Sequence, residues 1–525
     1  MTQQDNSPQA SATDAQPAQA IKPATPIQVD QRVGQAAEGA TVVGVQIGNV
    51  AGDVITEQHG YAAAQLRTIL VAVIIAVALV AGGLVWLASG GLSAFVAARP
   101  GRMPGNFNVA IVEFGQLGPD GVARKSADGK LLSESLFHAM DLELQNLPLG
   151  VRQNFSPTVW LVDFVSSYTD AQKLQNDIGA DALIYGYLTG TADAAELALE
   201  YSVRPLRNEA EELLGKYRLG SPVPLRLPVE ANKVQNAFAL TDRQKLLSRF
   251  TVGLMHDLNG FFDRALEVYE PTLAELNSSS GREGREVLQY FIGRAYLFGA
   301  QQKLAEAEEA QAKAQPTVAA LAFTQVESYT LKAEVAFTQA WNLNPDYART
   351  HIGLGSVNIF RAGRQPPTER MTQTLWLQRA FGEYEQALKI AQQTNDPFLL
   401  GLAESALSSA HFLRGEGQLY QSDWAGAAQS FDQALRFGES ALPRLGQQPR
   451  LRAQTYLALG NSHFEQGIVS EQLKNTTSAR ARYEASIKAY DECIKIRLDE
   501  RSQKFVTSRC QSYQASVKKQ LAELK

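Results

Sequence analysis

Apolar and polar positions alternate over residues 107–114 (FNVAIVEF), the two-residue period of a strand. Over 130–146 the rhythm changes, and Leu132, Leu136, Met140 and Leu144 recur every fourth position, which predicts an amphipathic helix. The alternation of element types continues with a strand over 159–164, a helix over 169–178 and a strand over 182–187 (ALIYGY). Residues 197–205 and 217–228 read as two extended segments that pair. Strands interleaved with helices across 105–228 imply a small α/β domain built on one sheet.

Upstream, residues 68–98 form a run of 31 positions without Asp, Glu, Lys, Arg or His, and 69–87 is almost purely aliphatic. About 20 such residues cross a hydrocarbon core. With Trp86 near one end and Arg67 and Arg99 flanking it, the run predicts a transmembrane helix over 67–98. A cleavable signal would place its apolar core within about the first 30 residues, so the segment is expected to remain as an anchor. Residues 1–60 contain no Phe, Trp or Tyr, and the tail over 1–66 is expected to be disordered. Within it, 41–56 (TVVGVQIGNVAGDVIT) is open to two readings, a flexible linker or a short docking strand.

From 236 to 525 the dominant signal is a recurring small residue, an aromatic four positions later and another small residue three beyond that. Ala333, Phe337 and Ala340 follow this pattern, as do Ala380, Tyr384 and Ala387, and Ala427, Phe431 and Ala434. Ala265 with Tyr269, and Ser486 with Tyr490 and Cys493, are weaker copies. Each copy follows a predicted helix carrying a glycine: Gly253, Gly293, Gly355, Gly415 and Gly460. Antiparallel helices approach closely only where side chains are small, and the aromatic then fills the gap to the next pair.

This pattern resembles the tetratricopeptide repeat. The small residues are 68, 47 and 47 positions apart, against about 34 in that family, so long helices or insertions are expected. The combination VAIVEF, an amphipathic helix, DAQKLQNDIGADALIYGYLTG and LALEYSVRP resembles the N-terminal domain of TolB-type proteins, with Val109–Phe114, Gly179, Asp181 and Gly186 carrying the likeness. Such domains often stand between a membrane helix and tetratricopeptide repeats. The fold class expected is mainly α: a tetratricopeptide-like α-solenoid preceded by a small α/β domain, one transmembrane helix and a disordered tail. The repeat resemblance implies a partner groove lined by first helices, with Arg294, Arg349, Phe412, Glu416, Gln454 and Asn461 as groove residues.

Composition narrows function further. A net charge of −5, from 49 basic and 54 acidic residues, lacks the positive field that nucleic-acid binding needs, so nucleic acid is not an expected partner. His59, His138, His256, His351, His411 and His463 are scattered, without metal-ligand spacing. Gly353/Gly355 and Gly415/Gly417 fall inside predicted helices, where helix packing explains them better than a phosphate loop. No enzyme, cofactor or metal is expected. The two cysteines, Cys493 and Cys510, lie nearly equidistant from a turn near 500–502 between helices over 479–498 and 503–524. They face each other either as a disulfide or as two buried thiols. A bridge would indicate an oxidising compartment, and so a single-pass protein of the cell membrane with its C-terminal domains outside the cytoplasm. The expected function is a membrane-anchored scaffold whose array binds a protein or peptide partner. The alternative is a transmembrane sensor whose α/β domain binds a small ligand and signals to the tail.

Overall fold

The computed structural model describes residues 101–525, less 205–207, 279–283, 366–368, 447, 500–501 and 525. The architecture is mainly helical with a small α/β region, and the many C-terminal helices stack in a way compatible with a solenoid.

The α/β region is organised on β1 (Phe107–Val112), whose six residues are all buried. A strand buried on both faces needs apolar cover on both. Phe107, Val109 and Ile111 face a core shared with Leu132, Leu136, Met140 and Leu144 of α1 (Ala127–Gln145). The short α2 (Leu149–Phe155) follows, invisible in the pattern because it buries Phe155 alone. Ala110 and Val112 face a second core, shared with Ala171 and Ile178 of α3 (Tyr168–Ile178). β1 runs parallel to β4 (Pro157–Val162) and to β5 (Ala182–Thr191). On the other edge of β5, β6 (Ala194–Val203) folds back antiparallel. β7 (Gly215–Tyr217) and β8 (Val223–Leu225) pair with opposite ends of β6, so the expected extended segment over 217–228 is in fact two short strands. β2 (Gly115–Leu117) continues along β5 and carries β3 (Ala123–Lys125) at its side.

Five helix pairs follow among the described residues. They are α4 (Lys233–Leu258) with α5 (Phe262–Ser278), α6 (Arg285–Ala312) with α7 (Pro316–Leu343), α8 (Ala348–Arg364) with α9 (Arg370–Gln393), α10 (Pro397–Leu419) with α11 (Trp424–Arg444), and α12 (Pro449–Gln472) with α13 (Thr476–Lys495). A final helix, α14 (Ser508–Glu523), packs on α13 and is entered through a π-helical turn, Gln503–Thr507.

One device closes every pair. Gly253, Gly293, Gly355, Gly415 and Gly460 on the first helices lie against the rings of Tyr269, Phe337, Tyr384, Phe431 and Tyr490 on the second, and a Cβ at any of them would come within 2.3 to 2.7 Å of the ring. Ala265, Ala333, Ala380, Ala427 and Ser486 are fully buried at the same contacts. The 68-position interval from Ala265 to Ala333 is spanned by one long pair, because α6 and α7 have 28 residues each. Cys493 of α13 and Cys510 of α14 are joined by a disulfide, with Cα atoms 6.4 Å apart.

The core under β1 does not stop at the sheet. It runs through Leu247, Phe250 and Leu254 of α4, Tyr269 of α5 and Phe291 of α6 to Leu354 and Val357 of α8. Tyr201 of β6 meets Phe250 edge-on and shares a 3.0 Å hydrogen bond with Thr251.

The expected transmembrane helix over 67–98 and the tail over 1–66 lie outside the described residues. The single-pass reading is corrected: among the described residues no helix is long and apolar enough to cross a membrane. Charges interrupt even the longest helices, with Arg294 and Lys303 in α6 and Glu327, Lys332 and Glu334 in α7. The fold class is therefore mainly α with a small α/β region, and without a transmembrane helix among the described residues. The localisation to the cell membrane, with C-terminal domains outside the cytoplasm, loses its support with it.

Candidate functional site on the first helices of the pairs

The first helices α6, α8, α10 and α12 touch in succession and form a continuous face. A segment of the α/β region is seated on it: the short 3-10 stretch Asn208–Leu213 and the start of β7.

Arg294 is the single charge in the otherwise uncharged stretch 287–302 of α6, and its side chain is only 3% exposed. A buried guanidinium needs carboxylates and acceptors around it. Its Nε, at 3.0 Å, and its Nη2, at 2.5 Å, both donate to Oε1 of Glu212, and its Nη1 donates to Asp257 of α4. The ring of Phe298 covers it at 4.3 Å. Arg349, in the first turn of α8, donates to the main-chain carbonyl oxygens of Glu212 and of Leu214, the latter at 2.5 Å. Its guanidinium lies 5.3 Å from the ring centroid of Tyr217. Gly215 permits this approach, since a Cβ there would come within 2.6 Å of Arg349 Nη2.

Glu211 completes the seat at the N-terminus of α12. The first turn of a helix has no intrahelical acceptor for its N–H groups, and the cap residue Gln448 makes no side-chain bond to them. Arg450 N and Leu451 N donate instead to the Glu211 carboxylate, at 3.1 and 2.9 Å.

Around this seat Arg294 pairs with Glu212 and Asp257, the charge of the buried Arg450 acts on Glu211 and Glu212, and Arg349 holds main-chain carbonyls. Burial pushes the Glu211 carboxyl up to about 7, against the pull of the Leu451 and Arg450 amides. Burial likewise raises Asp257 to about 6, with Arg294 acting against it. Glu212 also feels burial, but the charges of Arg294 and Arg450 more than offset it and its carboxyl falls below the usual range.

The chain matches no family model and no curated protein. The chemistry of the site is therefore argued from its geometry.

Of the groove residues expected from the sequence, Arg294 and Arg349 are brought together on this segment. Phe412 is buried against Phe431, inside its own helix pair. Asn461 is buried and accepts a 2.7 Å hydrogen bond from the Tyr490 hydroxyl. Gln454 is half-buried on α12. Glu416 is half-buried on α10, its carboxyl pushed well up by burial and then by the charge of Glu465. These four do not join the Arg294–Arg349 seat. The occupant of the face, 208–217, was missed altogether. The sequence does hold one sign of it: the solitary Arg294 within YFIGRAYLFGA has to find a carboxylate from another part of the chain.

Proposed function

We propose that the chain is a protein-interaction scaffold, a tetratricopeptide-type array with a TolB-like α/β domain at its N-terminal side, whose first-helix face binds a protein or peptide partner. The supporting observation is the way that face grips a segment of its own chain, with guanidiniums on consecutive first helices holding one carboxylate and two main-chain carbonyls. Gripping main chain and charge together is what peptide recognition on a helical array requires. Cross-linking of the native chain in its cell extract, read by mass spectrometry, tests this. Partner cross-links falling on 236–525 agree with the scaffold; cross-links confined to 105–228 contradict it.

A second reading, in which the α/β domain takes a small ligand, has one observation in its favour. The Tyr185 hydroxyl is buried without a hydrogen-bond partner on the sheet face that also carries Glu200. Under that reading a Tyr185→Phe chain would lose ligand binding while keeping its partner cross-links.

A further inference from the structure

We propose that residues 208–214 are an internal ligand standing in for an external one: the face formed by α6, α8 and α12 takes an acidic peptide with two adjacent glutamates followed by leucine, and such a partner enters by displacing this segment. The inference rests on the scaffold reading above and names its partner chemistry.

The sheet provides the first argument. Val203 of β6 pairs directly with Gly215 of β7, so the chain leaves the sheet and returns to it at the same rung. A two-residue turn suffices to join antiparallel neighbours, yet here the connection runs out to the array. The β6–β7 pairing does not depend on where that connection lies.

The contacts themselves provide the second. Glu212 places one carboxylate oxygen, Oε1, between Arg294 Nε and Nη2, a charge-assisted contact. Glu211 takes two N–H groups at the positive end of α12. Arg349 reads main-chain carbonyls, which any peptide offers. Leu213 is wholly buried. Charge, main chain and an apolar anchor are each recognised separately, and a peptide of the same pattern in trans would make the same contacts.

Competition follows from the tether. A segment held by a short linker acts at an effective concentration of roughly 1 mM, so an external peptide of intrinsic Kd near 10 µM binds the native chain roughly 100-fold more weakly than a chain whose own segment is disabled.

The test uses a fluorescein-labelled peptide, NEAEELLGKY, titrated by anisotropy against the full native chain and against the full chain carrying Glu211→Gln and Glu212→Gln. The substituted chain is expected to bind roughly 100-fold tighter than the native one, and the amide peptide NEAQQLLGKY to bind neither. A substituted chain with native helical content and cooperative unfolding that shows no gain overturns the proposal. In case that chain does not fold, hydrogen exchange on the native chain gives an independent result. Millimolar NEAEELLGKY should speed exchange within 208–214, and unchanged exchange there overturns the proposal. Partner cross-links on the array with 208–214 still seated would remove this inference and leave the scaffold reading standing.

Discussion

Replacing Arg294 by Met removes the one cation that Asp257 and Glu212 share while leaving an apolar side chain of similar length. Asp257 is fully buried and the Glu212 side chain is 21% exposed, so neither carboxylate can turn out to water without moving its element. Breaking a buried pair by deleting one partner costs about 3 to 5 kcal/mol, because the remaining charge stays buried. Part of this penalty is relieved by protonation. Asp257 already titrates at about 6 with Arg294 present, and without that charge its carboxyl rises further. At pH 5 it is then neutral in the folded Arg294→Met chain, and the defect shrinks by about 1 to 2 kcal/mol relative to pH 7. Urea unfolding followed by circular dichroism reads both effects. With a slope near 3 kcal/mol/M, a 4 kcal/mol loss moves the midpoint down by roughly 1.3 M at pH 7. A midpoint within 0.2 M of native, or a loss as large at pH 5 as at pH 7, would refute the reasoning that a buried carboxylate pair depends on this guanidinium.

Helix packing, a buried carboxyl and the disulfide can each be tested by substitution. Gly355→Ala places a Cβ 2.3 Å from the Tyr384 ring and should lower stability by about 1 to 3 kcal/mol, whereas Gly382→Ala, with nothing within 4 Å, should raise it by about 0.5 to 1 kcal/mol; thermal melts shifting in the same direction for both would contradict the helix register. Burial lifts Glu465 from its ordinary 4.5 to about 7, so the proton it keeps when folded stabilises the chain below pH 4.5 and that contribution is lost as pH rises through 7. Glu465→Gln should accordingly gain stability over native by about 2 kcal/mol more at pH 8 than at pH 5, and urea midpoints with no pH-dependent difference would count against it. Replacing Cys493 and Cys510 together by Ala opens a loop spanning a sequence separation of 17 and should cost about 3 kcal/mol in urea unfolding; an unchanged midpoint would contradict the bridge's contribution.

The helix pairs were legible because their determinants are local. A small residue, an aromatic and another small residue lie within two helical turns, and the glycine that receives the ring lies on the preceding helix. β1 was legible for the same reason, its alternation recording that it divides two cores. The boundaries of β5 and β6 were placed short, since their exposed hairpin end at Thr191–Ala194 carries no apolar signal. The occupied face was not legible. NEAEELLGKY has the composition of a solvated loop, and its burial depends on arginines and amides separated from it by 82 to 240 positions. Phe412 and Asn461 are buried inside their own helix pairs, and matching a repeat position does not reveal which way a helix is rolled against its neighbours. The apolar run over 68–98 drew the transmembrane reading through its hydropathy and its flanking Trp86, Arg67 and Arg99, and the described helices offer nothing that supports it.

Glu211 sits over the first turn of α12, and hydrogen exchange at Arg450 and Leu451 measures that contact directly. First-turn amides without a side-chain acceptor exchange at nearly the rate of open chain. In the native chain both amides should be protected. In a Glu211→Ala chain they should exchange fast, while the interior of α12 keeps its native rates. Equally fast exchange of the two amides in both chains would mean that 208–217 is not seated on the array.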